Sequence, residues 1–219
     1  MVDLPSRIRA RAVVRGLNGL SRDRFLDLGA GTGVYSFFLT RDPQHSGIAM
    51  DIDPARLDSI RQQAESLGRA GLDVLRGNEL ALASFPSAKF ALILTVEVLQ
   101  YFNDLDKVLL DLNHCLRPGG TLVAHIPIRN EQWPHEHRLL DGEILSTMLA
   151  KAGFTQPRVL QTFGPFELSL CQIYSWCVRS PVLIAILYPF LLLAVNLTSP
   201  FVRKGAGCLI TAHKAIEPC

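Results

Sequence analysis

An acid sits inside an apolar run at Phe25-Leu26-Asp27-Leu28, and three glycines follow at alternate positions, Gly29, Gly31 and Gly33. A strand that ends in such a loop and hands over to a helix lets the backbone come close to a polar ligand. A second acid, Asp51, closes the next apolar run, Ile48-Ala49-Met50, about 20 residues further on, where a carboxylate can accept hydrogen bonds from ribose hydroxyls. A dinucleotide would fit this pattern as well, but two details speak against it. Position 34, where a dinucleotide loop wants its third glycine, is Val34. Asp27 would also repel a pyrophosphate, whereas it suits a ligand that carries an ammonium group.

These residues need a frame, and the apolar pattern supplies one. Residues 1–23 read as a helix and a turn, and Val34 to Thr40 as the helix after the glycine loop. Leu57, Ile60, Ala64 and Leu67 repeat at helical spacing until Gly68. Short apolar strands are expected around Asp73–Arg76, Phe90–Val96 and Thr121–Ile126, the last entered by a turn at Arg117-Pro118-Gly119-Gly120. Asn103-Asp104 and Asp141 can cap two further helices. Strands alternating with helices predict a parallel sheet covered on both faces. Right-handed crossovers then carry each strand-to-helix loop to one edge. Gly29–Gly33, Asp51, Asn78, Thr95–Glu97 and His125–Pro127 would converge there in one crevice.

At this point the chain resembles the class I S-adenosylmethionine-dependent methyltransferases, within the small-molecule group similar to ubiquinone and menaquinone methylases (methyltransferase type 11 domains). The matching pieces are Leu26 to Gly33, Met50-Asp51-Ile52-Asp53-Pro54, Arg76-Gly77-Asn78, Phe90 to Tyr101, and Leu116-Arg117-Pro118-Gly119-Gly120, in order across residues 25–127. The resemblance implies an α/β, Rossmann-like, seven-stranded sheet, mostly parallel with an antiparallel last strand. It also implies S-adenosyl-L-methionine as cofactor and S-adenosyl-L-homocysteine as product. Asp27 would lie near the methionine ammonium, partly through water, while Gly29, Ala30, Gly31 and Gly33 form the close-approach loop. Asp51 would bind the ribose and Ile52 the adenine face. Asn78 takes the place of the family's usual aspartate at the adenine amino group, with Glu79 beside it. Thr95, Val96 and Glu97 would border the sulfonium.

Methyl transfer from a sulfonium starts from an activated methyl group, so positioning and dryness can supply much of the acceleration. A base is needed only for an acceptor that must lose a proton. The candidates are Glu97, His125, His135 and His137; His125 ends the fifth strand and reads equally as a structural histidine. His135 and His137 flank Glu136 but have no third clustered ligand, so no metal is expected.

Residues 157–163 read as the sixth strand and 207–213 as the seventh, which inserts antiparallel between its neighbours. Between them, Ser180 to Val202 carries no charge and is bracketed by Arg179, Arg203 and Lys204. The length would span a bilayer, but one crossing would keep the seventh strand from its sheet, and Pro181, Pro189, Pro200 and Asn196 also argue against it. Residues 165–200 are therefore expected to form two or three short helices capping the crevice. The chain reads as a single domain with core 20–163 and 205–216 and a helical lid at 164–204.

A greasy lid reads either as a buried structural cap or as a peripheral membrane contact that admits a hydrophobic acceptor, such as a quinol, terpenoid, polyketide or lipid-linked metabolite. A soluble sugar or amine acceptor is the alternative, and a non-catalytic cofactor-binding partner a further one. Six arginines crowd the first two dozen positions and read as a solvated face or as an anchor for anionic lipid. The net charge of +2, from 22 basic and 20 acidic residues, gives no reason to expect nucleic acid. Five scattered cysteines and an N-terminus without an apolar stretch predict an intracellular, cytoplasmic setting.

Overall fold

The computed structural model describes residues 3–127, 142–198 and 201–216. Seven strands form one sheet: β1 (Arg24–Leu28), β2 (Ser46–Asp51), β3 (Leu72–Arg76), β4 (Phe90–Val96), β5 (Leu116–Pro127), β6 (Phe154–Thr162) and β7 (Gly207–Lys214). Their spatial order is β3-β2-β1-β4-β5-β7-β6. The first five run parallel, while β7 pairs antiparallel with both β5 and β6. The order reverses between β1 and β4, the switch point at which ligands bind outside the strand ends in open α/β sheets.

Helices cover both faces: α1 (Leu4–Gly16), α2 (Val34–Leu39), α3 (Pro54–Ser66), α4 (Leu105–Cys115) and α5 (Gly142–Lys151). Asp53 and Asp104 cap α3 and α4 by accepting from backbone N–H groups. Two cores result. One packs Phe90, Ile93, Leu109, Leu112 and Leu145 on one face; the other packs Phe25, Leu57, Ile60 and Leu94 on the opposite face.

Two strands differ from their expected form. Arg117–Gly120 does not turn the chain into β5 but bulges out within it, between the pairs Phe90–Leu116 and Leu92–Thr121. Gly119 at φ +72° absorbs the bend. β6 starts at Phe154 rather than at 157, and its register slips between Thr155 and Arg158. Pro157 sits in that slip on an edge strand, where its missing N–H is tolerated.

The lid consists of α6 (Pro165–Cys177) and α7 (Pro181–Leu197), two helices where two or three were expected. One face of α7, with Tyr188, Leu191 and Val195, packs with Leu170 of α6 against Leu4 and Ile8 of α1. Its opposite face leaves Val182, Ile186, Phe190, Leu193 and Leu197 exposed. No helix among the described residues is long and apolar enough to cross a membrane.

Half of the N-terminal arginines are not a solvated face. Arg7 donates to the Tyr188 hydroxyl at 3.0 Å, Arg11 to the carbonyls of Val195 and Thr198, and Arg9 pairs with Glu97.

Candidate active site

At the switch point the glycine loop is folded against β2. Gly29 and Ala30 donate their N–H groups to the Met50 carbonyl (2.7 and 3.0 Å), and Gly33 donates to Ala30 (2.8 Å). The Gly31 N–H goes to Asp51 Oδ2 at 2.8 Å, while the other oxygen of Asp51 accepts from Asp53 N–H at 3.0 Å. Asp51 thus locks the loop to the strand end. With these amides used internally, the loop is a poor cradle for phosphate and offers instead a close backbone surface bordered by an acid. Gly29 and Gly31 take φ of +73° and +56°.

A cleft of about 1210 Å³ opens here, lined by Gly29, Ala30, Gly31, Asp51, Ile52, Asn78, Glu79, Val96 and Glu97 among others. Ile52 is 67% exposed, an apolar side chain left uncovered where a flat ring could pack. Asn78 caps the short 3₁₀ turn Glu79–Ser84, accepting from Leu80 N–H at 3.2 Å. Its oxygen is therefore already engaged once, with a second lone pair left for a ligand.

Three expected residues, Gly33, Asp27 and Thr95, do not line the cleft. Asp27 is 1% exposed and accepts from Ser36 Oγ at 2.7 Å. Thr95 is buried in the sheet, paired across to Leu28 and Ala124. His135 and His137 fall outside the described residues.

Glu97 follows β4 at φ +55° and donates its N–H to the His125 carbonyl at 2.7 Å. Its Oε2 pairs with Arg9, and its Oε1 lies 3.7 Å from His125 Nδ1. The opposite ring nitrogen, Nε2, is 3.0 Å from Thr162 Oγ1, while Nδ1 is buried with no hydrogen-bond partner among the described residues. Burial, with the positive charge of Arg9 added, drives the His125 pKa down to about 3, so the ring is neutral at physiological pH. Arg9 also lies near Tyr35, whose hydroxyl is raised in pKa chiefly by burial.

Beyond this junction lies a second chamber of about 420 Å³, which Glu97 and His125 share. Leu168, Cys171, Gln172, Ser175 and Trp176 of α6 form one wall, and Phe163, Ala206 and Gly207 contribute to the other. Burial raises the Cys171 thiol to about 11, which keeps it protonated at neutral pH. Sequence reasoning missed Arg9, and it placed the lid over the crevice without naming the α6 residues that line the chamber. The spacing 168, 171, 172, 175 does mark one helical face, but only packing decides that it turns towards the crevice.

Asp27 and His125 give opposite pH dependences. Burial lifts Asp27 from the usual 3.8 to about 6, helped by the nearby charge of Asp51 and opposed by Ser36. Because the folded value is the higher one, ionising Asp27 removes stability as pH rises across that window. For His125 the folded value is the lower one, so stability is lost as pH falls from 6.5 towards about 3. The effects are on the order of 3 kcal/mol for Asp27 and about 5 kcal/mol for His125. Urea melts of Asp27→Asn should therefore gain stability from pH 4.5 to 6.5, and those of His125→Gln should lose it, both at steeper slopes than the parent. Unchanged slopes in both variants would contradict the burial of these groups.

Residues 26–124 match the family described as a methyltransferase domain. This segment is a class I S-adenosylmethionine-dependent methyltransferase domain. A demethylmenaquinone methyltransferase of Thermus thermophilus is 36% identical over 121 residues, covering 54% of this chain and 53% of that protein. Methyltransferase gedG of Aspergillus terreus is 32% identical over 98 residues, 45% of this chain and 29% of its own length. The chain spans about half, or less, of the length of these curated relatives. Phosphoethanolamine N-methyltransferase 2 of Haemonchus contortus, solved with S-adenosyl-L-methionine, superposes with a TM-score of 0.71 at 15% identity, over 94% of this chain and 52% of that one. That likeness speaks for the fold alone. The residues present fit the family's cofactor: an acid locked at the strand end, an uncovered apolar side chain beside it, and a loop whose amides are already used.

Proposed function

We propose that the chain transfers the methyl group of S-adenosyl-L-methionine to a small lipophilic acceptor, such as a quinol, terpenoid, polyketide or lipid-linked metabolite. The observation that carries this reading is the position of Glu97, whose side chain borders both the cofactor cleft and the α6 chamber. When bound, the cofactor would supply an activated, sulfonium-borne methyl group to an acceptor lone pair. Asp51 holds the ribose hydroxyls and Ile52 the adenine face, with Asn78 and Glu79 at the adenine edge. Asp27 balances the ammonium from beneath the loop, and Thr95 and Val96 shape the end of β4. Helices α1 and α6 flank the junction, and positioning of the two reactants does most of the work. A hydroxyl on the acceptor would lie against Glu97 Oε1, which would receive its proton, while the buried neutral ring of His125 backs the carboxylate.

The chamber walls are largely apolar. The outward face of α7 carries five exposed apolar residues, and Arg179, Arg203 and Lys204 are exposed beside the lid. This is the pattern of a helix that lies in a membrane interface without crossing it, and it supports work at a membrane face. One relative is named a demethylmenaquinone methyltransferase, which makes a quinol the first acceptor to try. Incubation with labelled cofactor and a lipid extract should give an organic-soluble labelled product, and the protein should float with anionic liposomes. Exclusively water-soluble products, with the protein left at the bottom of the gradient, would argue for a soluble acceptor instead.

A further inference from the structure

Arg9 has no assigned task in the reaction above, yet it sits at its centre. Its guanidinium pairs with Glu97 Oε2, donates to Ser6 Oγ at 3.0 Å and lies near Tyr35 of α2. The helix that carries it is anchored from the other side. Positions 7 and 11 project opposite to position 9 on a helix, and Arg7 and Arg11 grip α7 through Tyr188 and the Val195 and Thr198 carbonyls. With Oε2 occupied, Oε1 is the Glu97 oxygen turned towards His125, 3.7 Å from Nδ1.

We infer that Arg9 is a positioning residue for methyl transfer, fixing the Glu97 carboxylate between the two cavities and cancelling its charge where the sulfonium would lie. The inference rests on the function proposed above. Its physical reason is the charge change of the reaction: the sulfonium is positive before transfer and a neutral thioether after it. An unpaired carboxylate at the junction would stabilise the charged starting state more than the transition state, deepening binding without raising the rate. A paired carboxylate avoids this and still presents one oxygen to the acceptor. Burial alone would lower the Arg9 pKa, but the charge and hydrogen bond of Glu97 outweigh it, so the compensating charge is permanent.

S-adenosyl-L-methionine and S-adenosyl-L-homocysteine differ at this point in the sulfur's charge, so their two calorimetric Kd values read the local field directly. Arg9→Gln should shift the preference towards the sulfonium by about tenfold, and Glu97→Gln should shift it by a similar factor towards the thioether. The double variant should return to the parent ratio, and Arg9→Lys should keep it. Opposite signs cannot come from lost packing. Both single variants shifting the same way, or Arg9→Gln leaving the ratio within about twofold of the parent, would overturn the inference. Should Arg9→Gln fail to fold, Glu97→Gln and the double variant still decide it: a thioether preference that the double variant does not reverse counts against it. A parent protein that binds neither compound refutes the cofactor reading beneath it, a distinct result.

Discussion

Asp51→Ala should bind S-adenosyl-L-homocysteine at least about a hundredfold more weakly than the parent, since hydrogen bonds to a charged partner are worth about 1.5–3 kcal/mol each. Two losses combine. The ribose hydroxyls lose their acceptor, and the Gly31 and Asp53 N–H groups, held at 2.8 and 3.0 Å, lose theirs, so the loop is no longer tied to the end of β2. Asp51→Asn keeps one acceptor oxygen and should fall between the two. Isothermal titration of the three proteins checks the order. Equal affinity in Asp51→Ala would remove this carboxylate from the site.

Gly29→Ala should have the largest effect on the fold itself. A Cβ there would lie 2.0 Å from Val98 Cγ2, and the residue holds φ +73°. A left-handed L-residue costs roughly 1–2 kcal/mol before any clash, and the branched Val98 side chain has few rotamers to retreat into. A loss of about 3 kcal/mol in urea denaturation is expected. Adding Val98→Ala should recover the clash and leave the backbone strain. Gly31 provides the contrast. Its Cβ would meet nothing nearer than Arg56 Nη1 at 3.8 Å, on the open side of the loop. Gly31→Ala should therefore cost only the roughly 1–2 kcal/mol of its left-handed backbone, without a clash, and lose cofactor affinity. Gly29→Ala as stable as the parent would show that close approach to Val98 is not why a glycine stands there.

The cleft at the switch point was legible because its residues lie at strand ends, and topology sends such ends to one edge. Gly29, Asp51, Asn78, Val96 and Glu97 all arrive there from a pattern of apolar runs and breakers. Details set by strand pairing were not legible. Pro118-Gly119-Gly120 carries every mark of a turn, yet Leu116 already pairs with Phe90, so the same residues form a bulge inside β5. Arg9 was hidden for a different reason. A lone arginine on an amphipathic helix reads as solvated surface, and nothing local says that this helix lies across the mouth of a cleft 88 positions away, against Glu97. His125 read equally as structural and as catalytic. It is fully buried, with one ring nitrogen tied to Thr162 and the other facing Glu97, and this serves both readings at once.

The most direct test of the central claim is a calorimetric titration of the parent protein with S-adenosyl-L-homocysteine, with NADH as control. The cleft described here should bind the thioether saturably, at one site per chain, with a Kd on the order of micromolar, and should ignore NADH. Saturable NADH binding with no heat from S-adenosyl-L-homocysteine would contradict the account.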